Sequence, residues 1–191
     1  MPTADQTINN FLALFNGHDK KGLMTSAFSP DSADHKTPSV GLTHDGPQFL
    51  GATAVEMLIT QIFKSFPDIA LTILADIPDR LYSQNGPTRV ALQGRLAATH
   101  EENWFPIGHK HYSPPISDIH PDKVQLFKVP VCAVFTLDAN NLISNWTLYF
   151  DRYRMAQQLW PGFPSSTSLA NSLASVAQSL LSLGEGRKPR Q

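Results

Sequence analysis

Four polar residues near the ends of two strand-like segments could together carry out proton transfer. His100 ends one segment, whereas Asn145, Tyr149 and Asp151 lie in or directly after another. Histidine is the side chain best suited to moving protons near neutral pH. An amide and a phenol can donate hydrogen bonds to a carbonyl oxygen that is gaining negative charge. These residue types therefore fit proton abstraction next to a carbonyl group.

Each of the four residues also has a structural role open to it. Asn145 could satisfy a backbone group, and Tyr149 could serve only in packing. His100 could be an ordinary surface residue at a strand end. Asp151 precedes a helical pattern, where a carboxylate caps free N–H groups and complements the helix dipole. Both interpretations stay open at this level.

A second group of possible ligands lies in the proline-rich segment 103–122. It offers nitrogen and oxygen donors for zinc or iron: His109, His111, Asp118, His120 and Asp122. Their spacing matches no motif tied to a mechanism, so we predict no metal site and no cofactor. A loop this long in a compact domain is typical of a lid, and its histidines and Tyr112 could cover a substrate.

The composition indicates one globular domain. The chain has 191 residues, of which 41% are hydrophobic and 16% charged. A net charge of −1 gives no electrostatic reason to expect nucleic acid or a membrane surface as partner. Neither a signal peptide nor a membrane span is indicated, so we expect a cytoplasmic protein.

Helical periodicity dominates the first third of the chain. Ile8, Phe11, Leu12 and Phe15 share one face of a helix that Gly17 ends. A second, shorter helix is expected within 18–28.

An irregular segment is predicted at 29–50, and the third helix, which comes after it, carries a predicted capping box. Thr53 and Glu56 have the spacing of such a box. The apolar stripe that follows contains Val55, Leu58, Ile59, Ile62, Phe63 and Phe66.

The rest of the domain alternates with a period of two. Strands are predicted within 69–77, 89–101, 123–137 and 142–150, and Pro130 must bend the third of these or lie at a sheet edge. Helices followed by a strand meander predict an α+β fold, with the helices packed on one face of a curved antiparallel sheet.

The C-terminal segment differs in pattern. Apolar residues recur there at heptad-like spacing: Leu169, Leu173, Val176, Leu180 and Leu183. This helix could dock on its own domain or form a dimer contact. We therefore divide the chain into a domain at 1–164 and an extension at 165–191, comprising a helix and a disordered end.

The order of these elements resembles the SnoaL-like polyketide cyclases of the NTF2-like superfamily. The matching segments are FNGHDKKGLM, FPDIALTI, Thr99-His100 and NWTLYFDRYRMAQQL. The resemblance implies a cone in which a strongly curved sheet wraps around a pocket. It also implies homodimers and cofactor-free acid–base chemistry on hydrophobic substrates.

The resemblance places position 147 in the pocket, and therefore Asn145, Thr147 and Tyr149 by alternation. The resemblance does not extend to the acid–base pair of the cyclases. The two positions that align with this pair hold Ala133 and Thr147, and neither can transfer a proton near neutral pH. Trp146 and Leu148 would then lie on the outer face and support a homodimer.

The predicted function is a cofactor-independent cyclase, isomerase or dehydratase acting on a small hydrophobic carbonyl-containing metabolite. The alternatives are a non-catalytic small-molecule-binding protein and a protein-interaction module. The expected catalytic residues are His100, Asn145, Tyr149 and Asp151. The expected substrate contacts are Phe15, Trp104, His109, His111, Tyr112 and Thr147.

Overall fold

The computed structural model describes residues 1–42, 48–74, 81–82, 88–100, 125–151, 154–155 and 158. Its helices are α1 (Ala4–Asn16), α2 (Lys20–Gly22), a π-helical turn (Leu23–Ala27) and α3 (Ala52–Ser65). Its strands are β1 (Ser39–Leu42), β2 (Gln48–Leu50), β3 (Ala70–Ile73), β4 (Leu81–Tyr82), β5 (Arg89–His100), β6 (Gln125–Leu137) and β7 (Ile143–Phe150). The segment 101–122 and the extension 165–191 lie outside the described residues, so the proposed domain division stays a prediction.

Helix α1 forms as its sequence predicts. Thr3 caps its N-terminus in a reciprocal box with Gln6, and Gly17 follows its last residue. Ile8, Phe11 and Phe15 are buried on one face. This face supplies much of the aromatic core.

Helix α3 has the predicted apolar stripe but a different N-terminus. The capping box from Thr53 is wrong, because the helix begins at Ala52 after Gly51, whose φ of 82° suits only glycine well. The Ala52 N–H instead donates to Asp31 Oδ1 at 3.3 Å. A residue distant in sequence therefore caps α3.

The segment 29–50 was predicted to be irregular, yet it contains β1 and β2. Both strands are short, and β1 gains its partner from the other end of the domain by pairing with β7. Strand formation here depends on that distant partner, which local composition could not indicate.

The seven strands form one sheet in the order β2-β1-β7-β6-β5-β3, with β4 also paired to β5. The sheet is mixed, and the prediction of an antiparallel sheet is wrong at one place, because β1 and β7 run parallel. The α+β fold with helices packed on one face of a curved sheet is confirmed.

Pro130 lies at a local edge of β6, as one of the two predicted alternatives requires. It pairs with Arg95 of β5, whereas the pairing with β7 begins only at Val131. Proline has no N–H to donate, so this position costs β6 no hydrogen bond to β7.

The core lies between the helices and what we call the inner face of the sheet. Phe11 contacts Phe135 of β6 and Trp146 of β7, with its ring centroid 5.1 Å from that of Phe135 and 4.9 Å from that of Trp146.

Among the described residues, no helix is long and apolar enough to cross a membrane.

Candidate functional site

A cavity of about 40 Å³ lies between the helices and the inner face of the sheet. A single water needs roughly 10–15 Å³ on this measure, so the cavity has room for a small organic group. Its described walls are entirely apolar: Phe15, Leu42, Ile62, Phe66, Ile69, Leu96, Phe127, Trp146, Leu148, Phe150 and Met155. Of the substrate contacts predicted from the sequence, Phe15 lies in this wall.

Trp146 links this cavity to the aromatic core. Its ring lies 5.5 Å from that of Phe15 in a T-shaped contact and stacks parallel to that of Phe135 at 6.2 Å. Its side chain is 1% exposed. The predicted position of Trp146 on the outer face is therefore wrong, and the same holds for Leu148, which is 4% exposed.

The predicted inward orientation of Asn145, Thr147 and Tyr149 is wrong for the same reason. Side chains alternate along a strand, so burial of Trp146 and Leu148 places these three on the opposite, outer face. Asn145 Nδ2 donates to Ser39 Oγ at 2.7 Å, and Thr147 Oγ1 donates to Asn145 Oδ1 at 3.1 Å. Tyr149 is 37% exposed. The Asn145 side chain thus joins β7 to β1 outside the cavity, and the Thr147 hydroxyl is held to Asn145 within β7.

The apolar cavity residues of β7 had a signal in the sequence. Trp146, Leu148 and Phe150 are more hydrophobic than the residues between them, which favours burial. The resemblance to the cyclases gave the opposite assignment, because it placed position 147 in the pocket. A shift of one residue along a strand moves every side chain to the other face of the sheet. Ala133, the other position compared with the cyclases, is 1% exposed and pairs with Leu148.

Asp151 occupies the structural role that the sequence allowed. Its Oδ1 accepts a hydrogen bond from the Arg154 N–H at 3.0 Å, and its backbone oxygen accepts from the Met155 N–H at 3.0 Å. The residue is exposed. It caps the helical turn that follows β7.

His100 is the last residue of β5 and pairs through its backbone with Gln125. The adjacent Thr99 is held to Asp68, because its N–H and hydroxyl donate to the two carboxylate oxygens at 2.5 and 2.6 Å. Burial alone would raise the pKa of Asp68, but these hydrogen bonds outweigh it and lower the pKa. This pair anchors the strand end where His100 lies.

The remaining predicted substrate contacts fall in the segment 101–124: Trp104, His109, His111 and Tyr112 lie outside the described residues. Within the part of the chain that the structure describes, no three His, Cys, Asp or Glu residues are grouped so that they could hold a metal ion.

Comparison by sequence finds no relatives: no family model and no curated protein matches the chain. Solved structures do match. A provisionally named SnoaL-like polyketide cyclase from Shewanella putrefaciens CN-32 superposes with a TM-score of 0.59 at 16% identity, covering 83% of this chain and 97% of that one. The provisionally named hydroxylase AclR from Streptomyces galilaeus gives 0.56 at 15% identity, with 96% and 98% covered.

A third match carries a small ligand. This protein of ketosteroid isomerase-like fold from Catenulispora acidiphila DSM 44928, in complex with trimethylamine, has a TM-score of 0.55 and 14% identity, with coverages of 85% and 96%. At such identities the likeness shows the fold. The chain therefore has a ketosteroid isomerase-like fold, and the predicted resemblance to the SnoaL-like polyketide cyclases is confirmed at the level of the fold.

Proposed function

We propose that this protein binds a small, largely apolar, carbonyl-containing metabolite in the cavity between the helices and the sheet. The observation that carries the proposal is the lining of the cavity. Every lining residue that the structure describes is apolar, and four of them contribute aromatic rings: Phe15, Phe66, Phe127 and Trp146. Apolar and aromatic lining is typical of small-molecule sites. The polyketide cyclase names of structures with this fold support a substrate with carbonyl groups.

A cavity-filling substitution tests binding. Leu148→Phe adds volume at the wall, so it should weaken binding of a small cyclic ketone at least tenfold in a calorimetric titration. Thr72→Phe makes a similar addition at an exposed position of β3 and serves as the control. Equal affinity in both variants would show that the ligand binds elsewhere.

Acid–base catalysis in the same cavity is the second candidate. It would be cofactor-free proton abstraction next to the carbonyl, followed by cyclisation, isomerisation or dehydration. The observation that favours it is the Asp68–Thr99 pair, which fixes the end of β5 at His100. Since the described wall holds no proton-transfer group, the base would be His100 or a histidine of the segment 101–122.

The test compares His100→Gln with the wild type. Loss of a general base should reduce turnover about 10²–10⁴-fold while binding persists. Full turnover in His100→Gln and in a His109→Ala, His111→Ala double variant would show that none of these histidines is the base, whereas absence of turnover in the wild-type protein would leave the non-catalytic binding function. A protein-interaction role would instead require binding of a partner through the extension 165–191.

A cytoplasmic homodimer remains part of this proposal, but on different grounds from those predicted. Trp146 and Leu148 are buried, so the outer face presents Cys132, Val134 and Tyr149 instead, all at least partly accessible. Val134→Arg should convert a dimer into a folded monomer in sedimentation, whereas Thr72→Arg should not. A wild-type monomer at micromolar concentration would contradict the dimer, and cell fractionation tests the location.

A further inference from the structure

The cavity becomes more accessible towards the C-terminal end of β7. Along the inner face of this strand, Trp146 is 1% exposed and Leu148 is 4% exposed, whereas Phe150 is partly exposed. Two more of the described lining residues are partly exposed, Leu42 and Met155. Leu42 ends β1 and pairs with Leu148, and Met155 follows β7 in the chain. The other described lining residues are buried. A ligand would therefore enter at this end.

Met155 is brought to this opening by the helical turn that follows β7. The Arg154 N–H donates to Asp151 Oδ1, and the Met155 N–H donates to the Asp151 backbone oxygen, both at 3.0 Å. A carboxylate in this position caps free N–H groups at the start of a helix. The chain thus turns directly after Phe150, and the Met155 side chain becomes part of the cavity lining.

A second contact holds the same turn against β6. Lys128 N donates to Gln158 Oε1 at 2.6 Å, and Gln158 Nε2 donates to Lys128 O at 3.3 Å. Lys128 adjoins Phe127, which also lines the cavity. Met155 and Gln158 are both helical, and residues three apart lie on the same face of a helix. The face that Gln158 fastens to β6 is therefore the face from which Met155 meets the cavity.

We infer that Met155 limits the size of the ligand that the cavity admits, and that Gln158 is the positioning residue that keeps Met155 at the opening. The inference rests on the proposed binding function and adds size selectivity to it. Methionine suits this role because its unbranched side chain has three rotatable bonds and fills irregular space against a small ligand. With Met155 in place the cavity measures about 40 Å³, so a larger ring needs this side chain removed or displaced.

The size limit is tested with cyclopentanone and the larger ring cyclooctanone, each titrated calorimetrically into the full-length wild type, Met155→Ala and Met57→Ala. Met57 is 50% exposed on α3 and is not among the described lining residues, so its variant is the matched control. Met155→Ala should strengthen cyclooctanone binding about tenfold or more, because each additional buried methylene strengthens binding about fourfold. Cyclopentanone binding should change far less, and Met57→Ala should alter neither affinity.

The positioning role is tested through the ratio of the cyclooctanone affinity to the cyclopentanone affinity. Gln158→Ala alone should raise this ratio, in the same direction as Met155→Ala. In the Met155→Ala background it should have no further effect, since a residue that acts only through Met155 then has nothing left to position. A merely structural role would weaken both ketones together and leave the ratio unchanged. Met155 and Gln158 are both partly exposed, so neither substitution empties the core.

Two outcomes overturn the inference while leaving the binding function intact, provided that cyclopentanone binds the wild type and is weakened by Leu148→Phe. One is identical affinity of Met155→Ala and Met57→Ala for both ketones. The other is an effect of Gln158→Ala on the ratio that is the same with and without Met155. Failure of both ketones to bind the wild type and Met155→Ala would contradict the proposed function itself, and the inference with it.

Discussion

The side-chain amide of Asn16 and the backbone of Leu71 hydrogen-bond in both directions. Asn16 Nδ2 donates to Leu71 O at 3.1 Å, and Leu71 N donates to Asn16 Oδ1 at 2.8 Å. Leu71 belongs to β3, the last strand at that side of the sheet. The amide thus occupies the position that another strand would take at an unpaired edge.

The same arrangement recurs where β6 extends beyond β7. Lys128 N donates to Gln158 Oε1 at 2.6 Å, and Gln158 Nε2 donates to Lys128 O at 3.3 Å. In both places, a side-chain amide from outside the sheet therefore hydrogen-bonds the backbone N–H and C=O of a strand residue that has no neighbouring strand on that side.

Asn16→Ala should lower the free energy of unfolding by about 1–3 kcal/mol, because it leaves a strand N–H and C=O without these partners. Urea denaturation measures the change. Asn140→Ala, in the exposed turn after β6, should change it by less than about 0.5 kcal/mol. Equal effects would show that Asn16 contributes no more than a surface residue.

Trp146→Ala should destabilise the protein by about 3–5 kcal/mol, because it empties a fully buried site among aromatic rings. Tyr149→Ala, on the outer face of the same strand, should cost about 1 kcal/mol or less. Thermal and urea denaturation of the two variants compare them directly. A larger effect at Tyr149 would contradict the orientation of β7.

Gly94 should not tolerate a side chain, whereas Gly41 should. A Cβ at Gly94 would lie 2.5 Å from the Thr72 backbone oxygen, but at Gly41 the nearest atom is 3.4 Å away. Gly94→Ala should therefore destabilise by roughly 1–3 kcal/mol through forced separation of β3 from β5. Gly41→Ala is the matched control in denaturation experiments, and a reversed order would contradict this register.

The Asp68–Thr99 pair should give stability that depends on pH. The pKa of Asp68 is lower in the folded protein, so its contribution is present above the unfolded value, about 3.9, and is lost as the pH falls through the folded value. Thr99→Val removes the hydroxyl donor. Its stability deficit should be full at pH 7 and shrink steadily below about pH 4.

Urea denaturation of wild type and Thr99→Val at pH 7, 5, 4 and 3 measures that deficit. Thr99→Ser retains the hydroxyl and should keep most of the stability at pH 7. A deficit that is unchanged at pH 3 would mean that the variant acts through packing and not through the Asp68 carboxylate.

The sequence by itself determined the elements whose signals are local. The stripe of Ile8, Phe11 and Phe15 and the closing Gly17 define α1, because a helix is held by contacts three and four residues apart. The period-two strands were predicted for similar reasons, and the order of elements sufficed to predict the fold.

Tertiary structure decided which face of each strand is inside. Alternation divides β7 into two sets but does not say which set meets the helices; packing of Trp146 against Phe11 and Phe15 settles it. Likewise β1 exists as a strand because β7 pairs with it, and Asp31 caps α3 from outside the helix. These features depend on contacts between residues far apart in sequence, whose free energy is gained only when the chain has folded.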